Sequence, residues 1–119
     1  MVLFCIGFFT VVGDIFHLKW SIWWYDIPLH FLGGSLVAMS VVLLWHFLYL
    51  NTVHKNAIVL TAVFSALTVG IVWEIYELYF GITSLSDGWY YYFDTIKDLV
   101  VDVCGAVLAS VYSLKLISR

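Results

Sequence analysis

The sequence predicts an all-α fold, a polytopic membrane protein whose 119 residues form a single domain built as a four-transmembrane-helix bundle. Composition is the first observation behind this prediction. Hydrophobic residues make up 64% of the chain and charged residues only 11%, whereas soluble domains average about 45–50% apolar and about 25% charged residues. Length is the second, because three apolar segments can each cross the roughly 30 Å hydrocarbon core as a helix. The lipid bilayer is therefore the first partner that we predict.

The four helices are expected at about residues 1–16, 28–50, 57–81 and 94–117. The last three segments each supply the roughly 20 apolar residues that a spanning helix needs. The first segment is shorter and lacks the basic start of a signal peptide. We interpret it as a retained helix, either ending at Phe16 or continuing through Trp24 as an interfacial extension. A short loop from Asn51 to Asn56 and a longer aromatic loop from Ile82 to Phe93 complete the predicted chain.

The basic residues predict the orientation of the helices. Loops that stay in the cytoplasm are enriched in Lys and Arg, and Lys55, Lys115 and Arg119 fall on one side of the predicted topology, against Lys19 and Lys97 on the other. We therefore expect a multi-pass protein of the cell membrane, plasma or inner, with the N-terminus and the C-terminus inside. The net charge of -3 and the lack of a basic stripe exclude nucleic acid as an expected partner.

The acidic residues are gathered at one end of the predicted bundle. All eight fall in its non-cytoplasmic half: Asp14, Asp26, Glu74, Glu77, Asp87, Asp94, Asp98 and Asp102. Glu74 is expected roughly 10 Å inside the end of its helix, and Asp102 roughly 12 Å below Asp94. A carboxylate at such a depth costs about 2.5–3.5 kcal/mol on insertion scales and normally faces the bundle interior, a partner or water. These residues therefore predict a shared polar cavity.

The spacing of the polar residues puts each set on one helix face. It is i, i+4 for Asp26 and His30, i, i+3 for Glu74 and Glu77, and i, i+4, i+8 for Asp94, Asp98 and Asp102. Small residues continue these faces and mark where membrane helices approach closely; they are Gly33, Gly34, Ala66, Gly70, Gly81, Gly105 and Ala109. We therefore expect the acidic faces to meet at the bundle axis.

A cluster of this composition predicts a divalent metal ion as cofactor. Carboxylates with one or two imidazoles suit Mg²⁺, Mn²⁺, Ca²⁺, Zn²⁺ or Fe²⁺, and Lys97, expected on the flank of its helix, and Lys19 do not obviously neutralise the set. The predicted ligands are Asp26, His30, Glu74, Glu77, Asp98 and Asp102. A second shell or the mouth of the site is expected to include Asp94, Lys97, Asp14 and His17. Protons shared among the carboxylates are the alternative to a metal.

Three motifs carry a resemblance to known families. They are Asp-x-x-x-His-Phe at residues 26–31, Trp-Glu-x-x-Glu at residues 73–77 and Asp-x-x-x-Asp-x-x-Gly-Ala at residues 98–106. In this order they resemble the small VanZ-like and YjdF-like membrane proteins over about residues 25–109. Asp102 stands where the VanZ side more usually has Asn, an Arg that often precedes the last motif is lacking, and Glu77 fits the YjdF pattern better. The resemblance implies a multi-pass membrane protein, linked on the VanZ side to resistance against lipoglycopeptide antibiotics.

Several functions remain open from the sequence. The first hypothesis is a divalent-cation site, open to the non-cytoplasmic side, that acts on a lipid or lipid-linked substrate. The alternatives are a small proton- or cation-coupled transporter working as a homo-oligomer, and a structural subunit of a membrane complex. The carboxylates also have structural interpretations, as an interhelical network or as helix caps at Asp26 and Asp94, and His30 as a helix-start hydrogen bonder. Whether the protein is an enzyme is left open, because Ser84, Ser86 and Thr95 have no base at motif-like spacing.

Overall fold

The structure is a computed structural model that describes residues 1–49 and 54–117, without the side chains of Val2, Asp14, Lys19, Trp20 and Tyr49. Within these ranges it consists of helices joined by turns and contains no β-strand. The α-helices are α1 (Val2–Ile15), α2 (Leu18–Ser21), α3 (Asp26–Tyr49), α4 (Lys55–Tyr79) and α5 (Trp89–Ile117), and a 3-10 helix covers Leu85–Asp87. The loop predicted between α3 and α4 lies largely outside the described residues.

Three of these helices are long and apolar enough to cross a membrane. They are α3 over Asp26–Leu48, α4 over Lys55–Tyr79 and α5 over Trp89–Ile117, with mean hydropathies of 2.0, 2.1 and 1.8. The apolar part of α1, Leu3–Gly13, is shorter than these spans. The helix count of the predicted bundle, one short apolar helix and three long ones, therefore fits the structure.

The centre of the bundle is made of small residues, as their spacing predicts. Packing is most extensive between α3 and α5, followed by the pairs α3 with α4 and α4 with α5. A Cβ atom added to Gly34 would collide with the backbone carbonyl of Asp102, and one added to Gly105 would collide with the carbonyl of Phe31. Four buried alanines continue this contact: Ala38, Ala62, Ala66 and Ala106. The backbones of α3 and α5 can therefore approach closely at the level of the acidic residues.

The first helix is held on the outside of α3 by Tyr25. Its hydroxyl donates a hydrogen bond to the carbonyl of Phe9 over 2.6 Å, and its ring covers Gly13, where a Cβ atom would lie 2.7 Å from the ring. After Ile15, His17 takes the left-handed conformation with φ 53°, which interrupts the helix. The first helix therefore ends at Ile15 and does not continue through Trp24.

The ends of α4 and α5 correct two details of the sequence interpretation. Gly81 adopts a φ of 68° and lies beyond the end of α4 at Tyr79, so it caps the helix as a left-handed glycine and does not belong to the small-residue face. The last helix begins at Trp89, five residues before Asp94. The aromatic residues before Asp94 are therefore helical rather than part of a loop, because Gly88 with φ 60° makes the turn that starts the helix.

Candidate metal centre

Three predicted ligands come together where α3 and α5 cross. Asp26 and His30 stand one turn apart on α3 and Asp98 on α5, and one potential ligand atom of each lies within 4.8 Å of the other two. Nε2 of His30 is 3.4 Å from Oδ2 of Asp26 and 3.6 Å from Oδ2 of Asp98. Both His30, 6% exposed, and Asp98, 1% exposed, are buried. Buried charges of this kind need a partner of opposite charge or a metal.

The second nitrogen of the same imidazole faces Asp102. Nδ1 of His30 lies 3.3 Å from Oδ2 of Asp102, one helical turn from Asp98 along α5. With its proton on Nδ1 the ring donates to Asp102 and turns the lone pair of Nε2 toward Asp26 and Asp98. Metal-binding histidines almost always donate their other ring N–H to a carboxylate or carbonyl in this way, which fixes the tautomer and the ring orientation.

Two of the three separations in this cluster match those between ligands of a tetrahedral zinc ion, and the third, between the carboxylate oxygens of Asp26 and Asp98, is at most 4.8 Å. Zinc binds His nitrogen and carboxylate oxygen at about 2.0–2.2 Å, and tetrahedral ligands at that distance lie about 3.3–3.6 Å from one another. The distances from Nε2 of His30 to the two carboxylate oxygens, 3.4 and 3.6 Å, fall in this interval. A four-coordinate ion held by one nitrogen and two oxygens would keep one position for water or a substrate, as catalytic zinc sites do.

Lys97 lies closer to the cluster than the sequence interpretation placed it. Its Nζ atom is 2.5 Å from Oδ1 of Asp94 and 3.3 Å from Oδ1 of Asp98, so it partly neutralises the acidic face instead of lying apart on the flank. The flexible stem of a lysine lets its ammonium reach back along the helix. One oxygen of Asp98 therefore faces Lys97 and the other faces His30, but the oxygen toward Lys97, Oδ1, is buried and makes no hydrogen bond among the described residues.

The two glutamates of α4 make other contacts. Oε2 of Glu74 accepts a hydrogen bond from the hydroxyl of Thr95 over 2.8 Å, and Oε1 of Glu77 accepts one from Nε1 of Trp73 over 3.1 Å. Both carboxylates are buried, and Oε1 of Glu74 has no hydrogen-bond partner among the described residues. They border the candidate centre on its α4 side, whereas the three close ligand atoms come from α3 and α5.

The remaining predicted residues lie around this centre or away from it. Asp94 lies in the second turn of α5, paired with Lys97, so it does not cap the helix. His17 is exposed between α1 and α2, and the side chain of Asp14 lies outside the described part of the chain. Asp87 lies in the exposed 3-10 turn Leu85–Asp87.

A family model described as "Predicted membrane protein (DUF2238)" matches residues 1–119, the whole chain. The chain belongs to this family. It is a membrane protein, in agreement with the composition and the three candidate spans. No curated protein and no solved structure matches the chain.

Sequence reasoning missed two contacts in this DUF2238 protein. The hydrogen bond from Thr95 to Glu74 joins α5 to α4 across 21 positions of the chain, a distance at which no spacing rule applies. The contact of Lys97 with Asp98 joins sequence neighbours, whose side chains normally leave a helix in different directions. The sequence signal for the second contact was the i, i+3 spacing of Asp94 and Lys97, which places the ammonium over the acidic face.

Proposed function

We propose that this DUF2238 protein binds one divalent cation inside the membrane, through Asp26, His30 and Asp98, with Asp102 orienting the imidazole. The proposal rests on the two ring nitrogens of His30, each of which faces carboxylate oxygens. One ring nitrogen faces two carboxylate oxygens at tetrahedral ligand separations, and the other faces a third carboxylate. The set of donors, two carboxylates and an imidazole, suits Zn²⁺, Mn²⁺ and Fe²⁺ in particular.

The charge of the cluster supports the same conclusion. Three carboxylates of α5, those of Asp94, Asp98 and Asp102, lie beside His30 and Lys97, and Lys97 ion-pairs with the first two of them. Several carboxylates in one low-dielectric site cannot all stay ionised without compensation. A divalent cation removes most of this excess negative charge, because the bound ion is the largest local charge in such a site.

A cation at this position has a chemical use at the membrane surface. Held by Asp26, His30 and Asp98, it would supply Lewis-acid chemistry toward a phosphate or carbonyl oxygen of a lipid or lipid-linked substrate, or toward an attacking water. We also propose that the chain is related to the VanZ-like and YjdF-like proteins, because its motifs at residues 26–31, 73–77 and 98–106 resemble theirs. Enzymatic turnover would require an open coordination position, because water or the substrate would have to occupy it.

The proposed orientation places the acidic end of the bundle outside the cytoplasm. Lys97 is ion-paired within α5, with its side chain 18% exposed, so it does not count as a loop charge. Lys55, Lys115 and Arg119 then stand against Lys19 alone, and the excess of basic residues favours a cytoplasmic location for both termini. A fluorescent protein that folds only in the cytoplasm is expected to fluoresce when it is fused to the C-terminus. Periplasmic activity of a phosphatase fused at the same end would contradict the orientation.

Metal analysis of the purified protein tests the cation directly. We expect the wild-type chain, incubated with Zn²⁺, Mn²⁺ or Mg²⁺ and then desalted, to retain about one equivalent of one of them, and Asp98→Asn and His30→Ala to retain less than a tenth of that amount. Asp87→Asn is the matched control, because Asp87 carries the same charge in an exposed turn. Retention by Asp98→Asn equal to that of the control, with helix content unchanged, would falsify the proposal.

A proton-coupled transporter is the second candidate, since His30 as imidazolium could donate to carboxylates from both ring nitrogens. Buried hydroxyls also continue beyond the cluster at Ser35, Ser110 and Ser113. The first two donate to backbone carbonyls, so they form a closed polar face rather than an open path. Proteoliposomes test this candidate. Proton-driven uptake of a cation by a chain or oligomer without bound metal, and its loss in His30→Gln, would support the transporter over the metal site.

A further inference from the structure

Gly70 lies on the buried face of α4, opposite the carboxylate of Asp102 on α5. A Cβ atom added to Gly70 would collide with Oδ2 of Asp102, and it would lie 3.0 Å from Cδ2 of Leu99. Asp102 is buried, with 4% of its surface exposed. Its carboxylate therefore fills the space in which a side chain at position 70 would begin.

The oxygen that fills this space is the one that faces His30. Oδ2 of Asp102 lies 3.3 Å from Nδ1 of His30, and it is also the atom nearest to the missing Cβ of Gly70. One oxygen therefore lies beside both the imidazole ring of α3 and the backbone of α4. All three residues line one cavity of about 270 Å³, so the carboxylate has free space into which it can rotate.

The main chain of Asp102 is held by the other neighbouring helix. Gly34 of α3 packs directly against it, because a Cβ atom on Gly34 would lie 2.8 Å from the carbonyl carbon of Asp102 and 2.9 Å from its Cα atom. A group added on α4 would therefore meet a residue whose backbone is already in close contact with α3. Overpacking moves side chains before it moves tightly packed backbone, so the carboxylate is the part that is expected to yield.

Close helix packing alone does not account for a glycine at position 70. Ala66, one turn before Gly70 on the same face of α4, is buried in the central alanine cluster with its Cβ atom in place. Glu74, one turn after Gly70, is also buried. This face of α4 thus accommodates side chains on both sides of position 70, and the position without a Cβ is the one opposite the carboxylate.

We propose that Gly70 is a positioning residue of the metal centre, which leaves room for the Asp102 carboxylate and thereby keeps Oδ2 at Nδ1 of His30. The inference rests on the proposed function in one respect, that the oriented imidazole is a metal ligand. It goes further in assigning a role to α4, which supplies none of the three close ligand atoms. Gly70 acts through Asp102, so a Cβ at position 70 should matter only while the carboxylate is present.

The ring signals of His30 in the metal-free protein test this contact without any ion. In protein isotopically labelled at the histidine nitrogens, nuclear magnetic resonance identifies the His30 ring by its loss in His30→Gln. We expect the ring nitrogen shifts of His30 in Gly70→Ala to lie close to those in Asp102→Ala and away from those of wild type. Gly33→Ala is the matched control, because Gly33 lines the same cavity and its Cβ atom would meet no atom within 4 Å.

The affinity for Zn²⁺ or Mn²⁺ measures the consequence for the proposed function. Gly70→Ala should lower it by about tenfold or more. The same substitution in an Asp102→Ala background should lower it further by less than about twofold, because the two residues act through one contact. A glycine needed only for helix packing would cause the same loss in both backgrounds, and that result would overturn the proposal. Wild-type ring signals in Gly70→Ala, or an equal shift in Gly33→Ala, would overturn it as well.

A folding defect and an absent metal site give different results. If Gly70→Ala does not fold, recovery of folding in the double variant Gly70→Ala with Asp102→Ala supports the carboxylate contact, and failure of both variants to fold overturns it. If the wild type binds no divalent ion, the proposed function fails, but the ring signals still decide whether Gly70 positions Asp102.

Discussion

Nδ1 of His30 lies 3.3 Å from Oδ2 of Asp102, and this contact, one of several between α3 and α5, gives the imidazole a direction. The ring is fixed by a carboxylate on one side, so its other nitrogen points to Asp26 and Asp98. An unoriented histidine would have to lose rotational freedom when it binds an ion. The contact therefore makes the proposed site preorganised before any cation arrives.

Removing the carboxylate of Asp102 is expected to weaken cation binding, and the loss should be smaller where a hydrogen-bond acceptor remains at this position. Asp102→Ala deletes the acceptor and should lower affinity for Zn²⁺ or Mn²⁺ by about 10–100-fold. Asp102→Asn keeps a neutral acceptor of the same shape and should lie between Asp102→Ala and wild type. Metal titration followed by calorimetry measures the series, with Asp87→Asn as the control. Equal affinities for Asp102→Ala and the wild-type chain would show that Asp102 does not orient the ligand.

Lys97 is expected to compete with a cation for the acidic face. In Lys97→Met the ammonium beside Asp94 and Asp98 is lost, which leaves the buried carboxylate of Asp98 without this partner; because Lys97 is partly exposed, the cost stays below the roughly 3–5 kcal/mol of a fully buried pair. The metal-free variant should therefore melt below the wild-type chain, and a divalent cation should raise its melting temperature more than that of the wild type. Lys55→Met, in the exposed first turn of α4, is the control. A smaller cation-induced shift in Lys97→Met than in wild type would contradict this prediction.

Adjacent glycines of α3 are expected to respond in opposite directions. Gly34→Ala forces a Cβ atom onto the carbonyl of Asp102, and such overpacking costs about 1–3 kcal/mol. Gly33→Ala meets open space and should gain about 0.5–1 kcal/mol from the higher helix propensity of Ala. Thermal unfolding in detergent, followed by circular dichroism, should place the two variants on either side of wild type. The close crossing of α3 and α5 is contradicted if Gly34→Ala melts at or above the temperature of Gly33→Ala.

The hydroxyl of Tyr25 is expected to keep the first helix docked. Tyr25→Phe removes its hydrogen bond to the carbonyl of Phe9, which is worth about 0.5–1.5 kcal/mol. Hydrogen exchange of the α1 amides should become about 2–12-fold faster, while that of α4 stays unchanged. Tyr112→Phe, whose side chain is 63% exposed, serves as the matched control. Unchanged exchange in α1 would show that the ring of Tyr25 holds the helix without its hydroxyl.

The sequence predicted that the chain forms apolar membrane helices, and it predicted their approximate positions, because composition and apolar length depend only on local residues. The small-residue faces also predicted the close contact of α3 with α5, which Gly34 and Gly105 make. The break at His17 and the helical start at Trp89 did not follow, since each depends on backbone dihedrals at one or two positions that hydrophobic patterning does not report.

The sequence by itself determined that this protein lies in a membrane and that its acidic residues share one end of the bundle. Periodicity assigned each polar residue to a face, and it grouped Asp26 with His30 and Asp98 with Asp102. Only the tertiary structure decided which groups meet across helices, namely His30 with the carboxylates of α5, Thr95 with Glu74, and Lys97 with Asp98. The physical reason is that a helical face extends over about 100°, whereas a ligand set depends on the rotation and crossing of two helices to within about 0.5 Å.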